Sequence, residues 1–342
     1  MCEKALPPSG FQGGHATKIP AKAQGVQADN RFMVSVLRIK FSGLLLGLGV
    51  GLLTSSASAV RYESEVIDSE WLVRLSIFEC QLSHGIPQYG NAVFFQKAGE
   101  QQKFFLQAHT PRLKSGQALL RSEKPAWKKS GQARELGYIP VNQGNTPILL
   151  DTQMSQRVLT ELHQGMEVII TRRPWYGGES SIEVGISAVN FRAAYDKYLS
   201  CLSSLLPVNF EQIERSSIYF GSSKEALLPS EMAKIDNIGL YYQADKSITA
   251  FYVDGHTDSQ GARQDNFELS RERAEMVTKF LVARGVPPEI IVTRWHGERY
   301  PVASNQTRAG RAQNRRVTIR LVRGADDSSE SLEPQLSMVM TP

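Results

Sequence analysis

Ser247-Ile-Thr-Ala-Phe-Tyr-Val253 runs directly into Asp254-Gly-His-Thr-Asp258, and after a short polar stretch Asn266-Phe-Glu-Leu-Ser-Arg-Glu-Arg-Ala274 opens a long patterned segment. The first run is rich in β-branched and aromatic residues and predicts a strand over 247–253. From Asn266 to Arg284, Leu269, Val277, Phe280 and Leu281 fall on one side of a helical wheel, and Gly285 is a stop signal. Working outward, Ile290–Trp295 reads as another strand. In Arg316–Val322 the apolar Val317, Ile319 and Leu321 alternate with Thr318 and Arg320. Upstream, Ser217–Phe220 predicts a short strand, and Ser230 is placed to cap a helix carrying Met232, Ile235 and Tyr242. Strands alternating with helices predict a two-layer α/β domain over residues 207–323.

Residues 60–206 read differently. Trp71–Phe78, Ala92–Gln96, Lys103–Ala108, Met166–Thr171 and Ser181–Val189 are strand-like runs separated by Gly, Pro and Asn clusters. From Phe191 to Leu206 the spacing turns helical, with Ala194, Tyr198, Cys201 and Leu205 on one face, and Pro207 ends it. The expectation is a mainly-β domain: an antiparallel sheet or small barrel with a closing helix. Residues 324–342, rich in Ser, Asp, Glu and Pro, read as a flexible tail.

The chain has 342 residues and a net charge of +5. Residues 1–59 hold six basic residues against two acidic ones, so four of those five charges lie there. Residues 33–59 have the anatomy of a secretory signal peptide. Arg38 and Lys40 precede the apolar run Phe41–Leu53, and Ala57-Ser58-Ala59 is a small-residue cleavage site. The run is too short to span a membrane as a helix. Cleavage would leave Val60 first, a nearly neutral mature chain with no transmembrane segment, and little support for a nucleic-acid partner. Residues 1–32 read as an over-long start or a disordered leader. In an oxidising compartment the two remaining cysteines, Cys80 and Cys201, predict one disulfide; the alternative is two separate buried thiols.

The motifs of the second domain come in a fixed order: Asp254-Gly-His-Thr-Asp258, then Asn266 to Ala274, then Gly297-Glu-Arg-Tyr-Pro301 with Asn305-Gln-Thr307, then Gly310-Arg-Ala-Gln-Asn-Arg-Arg-Val317. This series resembles the OmpA-like peptidoglycan-binding domain. The resemblance implies a site for the diaminopimelate of a wall stem peptide, whose free end carries an ammonium and a carboxylate on one carbon. It assigns the ammonium to Asp258 and the carboxylate to Arg273, with Thr257, Asn266, Leu269 and Arg315 lining the pocket. A guanidinium suits a carboxylate because it offers parallel N–H bonds, and donors at the helix start would add to it. Alternatively, Asp258 and Arg273 pair with each other, and Asn266 and Ser270 merely cap the helix. Arg308, Arg311, Arg315, Arg316, Arg320 and Arg323 read as one basic cluster. The histidines show no metal-ligand spacing, so His256 is expected to be structural, with no metal and no cofactor.

In the first domain, Phe78-Glu-Cys-Gln-Leu-Ser-His-Gly-Ile-Pro-Gln-Tyr-Gly-Asn-Ala-Val-Phe94 resembles the MotY family of periplasmic components of sodium-driven flagellar motors. That implies a non-enzymatic periplasmic anchor. Residues 60–206 would attach to the flagellar basal body and a MotX-like protein, and the second domain would hold the wall. Two rivals are a generic envelope tether, including an outer-membrane porin type, and a wall hydrolase. A spanning barrel would need longer alternating strands than these, without charged stretches such as Lys124–Lys129. A hydrolase would need a nucleophile with its base, a metal cluster or paired carboxylates; only Glu161 with His163 and His256 with Asp258 suggest themselves.

Overall fold

The computed structural model describes residues 59–178, 180–221 and 227–324. The expected leader, all of the expected signal peptide but Ala59, and all of the expected tail but Gly324 lie outside the described residues. The elements in chain order are β1 (Val60–Tyr62), β2 (Trp71–Leu75), β3 (Glu79–Ile86), β4 (Gly90–Lys97), β5 (Lys103–Ala108), β6 (Gly116–Glu123), β7 (Arg134–Val141), β8 (Ile148–Leu150), α1 (Thr152–His163), β9 (Glu167–Arg172), β10 (Ile182–Ile186), α2 (Phe191–Ser204) and α3 (Phe210–Ile213). Then come β11 (Arg215–Tyr219), α4 (Pro229–Ala244), β12 (Ile248–Gly255), α5 (Arg263–Ala283), β13 (Ile291–Trp295), α6 (Arg308–Asn314) and β14 (Arg316–Arg323). Among the described residues no helix is long and apolar enough to cross a membrane.

The first ten strands form two five-stranded sheets, ordered β1-β10-β9-β6-β7 and β2-β3-β4-β5-β8. All pairs are antiparallel except β1 with β10. The sheets do not close into a barrel. They share one core, to which Leu82, Phe94 and Leu106 contribute from one sheet and Leu120, Ile170 and Val184 from the other. Trp71 stacks on His84 with ring centroids 4.8 Å apart and meets Phe191 edge-on at 4.9 Å, which seats α2. The buried face of α2 is Phe191, Ala194, Tyr198 and Cys201; Leu205, expected on that face, is instead the half-buried cap. The disulfide between Cys80 and Cys201 is formed and staples β3 to α2 across 121 residues of sequence.

β3, β6, β7 and α1 have no counterpart in the sequence reading. In α1 the buried face includes Ser155 and Glu161 beside Val158, Leu159 and Leu162. Glu161 is satisfied by Ser122 Oγ at 2.7 Å and by Arg134, while His163 packs edge-on against Tyr195. The two are therefore not an acid–base pair. The strand expected to reach Phe78 stops at Leu75, because Ser76 N turns back to Glu79 O at 3.0 Å. Phe78 thereby leaves the sheet and packs on Tyr241 of the second domain, centroids 5.5 Å apart.

The segment between the domains is clamped at several points. Asn209 and Gln212 form a reciprocal capping box on α3, and both also reach the first domain: Asn209 Nδ2 donates to Glu100 Oε1 at 3.1 Å and Gln212 Nε2 to Gly99 O at 3.0 Å. Lys97 pairs with Glu211 at 3.0 Å. Gly99 is required here: it has φ +70°, and a Cβ would lie 2.9 Å from Val208 Cα. Arg323 lies over the Phe210 ring at 3.8 Å.

The second domain is a four-stranded sheet, β11-β14-β12-β13, with β12 and β13 parallel and the other pairs antiparallel. Its core joins Phe251, Val253, Val317 and Ile319 of the sheet to Ile235, Ile238, Ala274, Val277 and Leu281 of α4 and α5. This is the expected two-layer α/β arrangement, with two local corrections. Ser230 does not cap α4; Leu228 occupies that position without a side-chain bond, and Pro229 opens the helix, where a missing N–H costs nothing. α5 starts at Arg263, three residues before the expected Asn266.

Replacing Cys80 and Cys201 together by serine is expected to lower the unfolding free energy by roughly 3–5 kcal/mol, as chain entropy for so long a loop implies. Denaturant titration of the variant against the oxidised wild type measures this.

Candidate functional site

β12 delivers Asp258 to the mouth of a cavity because its end is tucked against α5. Gly255 permits the approach: a Cβ there would lie 2.1 Å from Ser270 O. His256 N bonds Arg316 O and Thr257 N bonds Gly297 O, each at 2.9 Å, so the loop is stitched on both sides. Asp258 Oδ1 accepts from Gln260 N at 3.1 Å. Its Oδ2 accepts from Arg315 Nη1 at 2.8 Å.

α5 supplies the opposite wall. Asn266, Leu269 and Arg273 recur at helical spacing and line the same cavity of about 350 Å³ as Thr257, Asp258 and Arg315. The structure thus brings all six expected residues to one place. Gln260, which was not singled out beforehand, also lines it, as do Arg308 and Arg311, which were expected only as part of the basic cluster. Arg273 is 1% exposed. Its Nη2 donates to Gly221 O at 3.2 Å, and the guanidinium lies 5.0 Å over the Phe220 ring. Among the described residues its Nε and Nη1 have no partner, and neither has the buried Thr257 Oγ1. Burial, with Arg315 nearby, draws the Arg273 pKa down to about 10 against the attraction of Asp258. The group remains a cation at neutral pH.

Several expectations about this region are corrected. Asp258 pairs with Arg315, not with Arg273. Because α5 begins at Arg263, Arg273 sits about 15 Å along the helix axis from its start, in the third turn. The cavity therefore runs along the flank of the helix, from Asn266 near its start to Arg273. Asn266 and Ser270 are interior residues of the helix, not caps. Asn266 Nδ2 donates to Glu298 Oε2 at 2.9 Å, and Ser270 Oγ accepts from Gly297 N at 2.9 Å. The expected basic cluster disperses, because a helix and an alternating strand point its members apart. Arg308, Arg311 and Arg315 face the cavity, Arg316 is buried and bonds Tyr300 O, Arg320 lies over Tyr252, and Arg323 pairs with Asp245.

The third and fourth motifs form a scaffold. Thr307 Oγ1 caps α6 by accepting from Gly310 N at 3.0 Å. Asn314 is fully buried; its Oδ1 accepts from Val302 N and Ala303 N, and its Nδ2 donates to Ala303 O and to Asn305 Oδ1. Asn305 Oδ1 also accepts from Ser259 N at 3.3 Å, beside Asp258. The quoted motif contained Asn314, but nothing in its spacing showed it would hold these loops together. His256 stacks on His296 with centroids 5.1 Å apart, and burial, reinforced by Arg316 and His296, lowers its pKa to about 4. It is a neutral packing residue at pH 7, and His296 Nε2 bonds Asp254 Oδ1 instead at 2.8 Å. Among the described residues no group of three or more His, Cys, Asp or Glu is placed to hold a metal ion.

Comparison with known proteins places these domains. Residues 62–207 match the family described as MotY N-terminal domain, and residues 219–315 match the OmpA family. Sodium-type flagellar protein MotY of Vibrio parahaemolyticus is 28% identical over 286 residues, which are 81% of this chain and 96% of that protein. Outer membrane protein A of Bordetella avium is 35% identical over 116 residues, 34% of this chain and 59% of that protein. Peptidoglycan-binding protein ArfA of Mycobacterium tuberculosis is 38% identical over 104 residues, 30% of this chain and 31% of that protein. The chain thus carries a MotY N-terminal domain followed by an OmpA-family domain.

Proposed function

We propose that this protein is a non-enzymatic periplasmic anchor. Its second domain would hold peptidoglycan through the diaminopimelate of a stem peptide. Its first domain would attach to the flagellar basal body, with a MotX-like partner, and keep stator units of a sodium-driven motor in place. The observation that carries the wall-binding half is a cavity lined by a carboxylate, a buried guanidinium and three polar atoms without partners among the described residues: Thr257 Oγ1, Arg273 Nε and Arg273 Nη1. Buried polar groups are almost always bonded, so such a concentration of orphans at one cavity points to a ligand that completes them. Arg273 has five N–H donors, of which a described residue takes one. A ligand carboxylate would be gripped there, and the ammonium on the same carbon would sit by Asp258, sharing its charge with Arg315. The similarity to the peptidoglycan-binding protein ArfA supports the wall as ligand, and that to the sodium-type flagellar protein of Vibrio supports the motor role.

The sacculus pull-down is the direct test. Asp258→Ala and Arg273→Ala are each expected to cut retention on purified sacculi by roughly tenfold or more, the cost of a lost charged hydrogen bond. Retention equal to wild type in both, with thermal melts showing folded protein, removes the pocket from the reading. In cells, deletion of the gene is expected to abolish swimming while filaments remain, and Asp258→Ala is expected not to restore it; normal swimming of the deletion strain excludes the motor role. For the expected export signal, mass spectrometry of the periplasmic protein is expected to show Val60 as the first residue.

A further inference from the structure

One hydrogen bond separates the ligand cavity from a second depression. Asn266, 4% exposed, lines the first with Asp258 and Arg273. Its partner Glu298 lines the second with Arg263, Phe267 and His296. The bond fixes more than position. An ionised carboxylate has no proton to give, so whatever faces it must donate. The Asn266 amide therefore has one allowed orientation: NH₂ toward Glu298 and carbonyl oxygen turned away. That oxygen accepts no bond from a described residue. An asparagine amide is nearly symmetric in shape, and only its hydrogen-bond partners decide which end points where. With its NH₂ turned to the cavity it would oppose an ammonium beside Asp258.

Glu298 is itself held firmly. Gly297, at φ +57°, donates to Ser270 Oγ and accepts from Thr257 N, so the Glu298 turn is tied both to α5 and to the loop carrying Asp258. We propose that Glu298 is a positioning residue that sets the polarity of the pocket. Through Asn266 it keeps the amide's carbonyl oxygen, not its NH₂, available beside Asp258 and so favours ligands with a free ammonium there. This rests on the peptidoglycan reading above.

The test is calorimetric titration of the purified full chain with the tripeptide L-Ala-γ-D-Glu-meso-diaminopimelate, and with the same peptide acetylated on the free diaminopimelate amine. In Glu298→Gln the new amide can face either end of Asn266, so affinity is expected to fall roughly tenfold or more and the preference for the free amine to collapse toward one. In the double variant Asn266→Asp with Glu298→Gln, the glutamine donates to an acceptor-only aspartate, and both affinity and preference are expected to return to within about threefold of wild type. A merely structural role predicts the reverse: the nearly isosteric Glu298→Gln keeps the wild-type preference and the double variant gains nothing. That result overturns the proposal while leaving the pocket intact. Failure of the wild type to bind either peptide overturns the peptidoglycan reading as well.

Discussion

Taking a guanidinium out of water costs several kcal/mol unless hydrogen bonds and opposite charge replace the lost solvent. Arg273 sits at 1% exposure with one carbonyl partner, an aromatic ring beneath it, and Asp258 near enough to favour its charge. Asp258, however, accepts hydrogen bonds from Arg315 and from the backbone N–H of Gln260. The described residues therefore hold a cation that they do not fully satisfy. A neutral residue of similar shape would suit the stability of the domain better, so the natural account of Arg273 is that its partner arrives from outside.

Holding such a charge in place requires a scaffold that does not relax around it. The sheet and the buried face of α5 supply that stiffness with apolar packing, through Val253, Ala274, Val277 and Leu281. The loops above the sheet obtain it from hydrogen bonds, with Asn314 as the hub and Gly255 and Gly297 as the points where two backbones meet. Substituting a hub residue would be felt at Asp258 without touching the ligand, which couples the stability of these loops to recognition.

The C-terminal architecture was legible because its signals are local. β14 alternates cleanly, and the long helix declares itself through Val277 and Leu281. Its start did not, since Arg263, Gln264 and Asp265 carry no cap signal. The resemblance named six residues that line one cavity, yet the pairing of Asp258 with Arg315 was not legible, because it depends on a turn of chain after α6 that no spacing encodes. In the first domain, α1 was missed although Met154, Val158, Leu159 and Leu162 recur at helical spacing; its buried Ser155 and Glu161 are compensated by Asp151 O and by Ser122 and Arg134. β3 ran on from β2 in sequence, with only the Ser76 turn to divide them.

The clamp between the domains has a mechanical meaning. A tether with a loose swivel absorbs a load by reorienting before it passes any on. Here the crossing is made by Phe78 against Tyr241, by side chains of Asn209 and Gln212 that reach back to Glu100 and Gly99, and by a glycine that leaves no room for even a methyl group. Such a splice behaves as a bracket: whatever direction the wall imposes on one end is imposed on the other, so the molecule would convey orientation as well as hold.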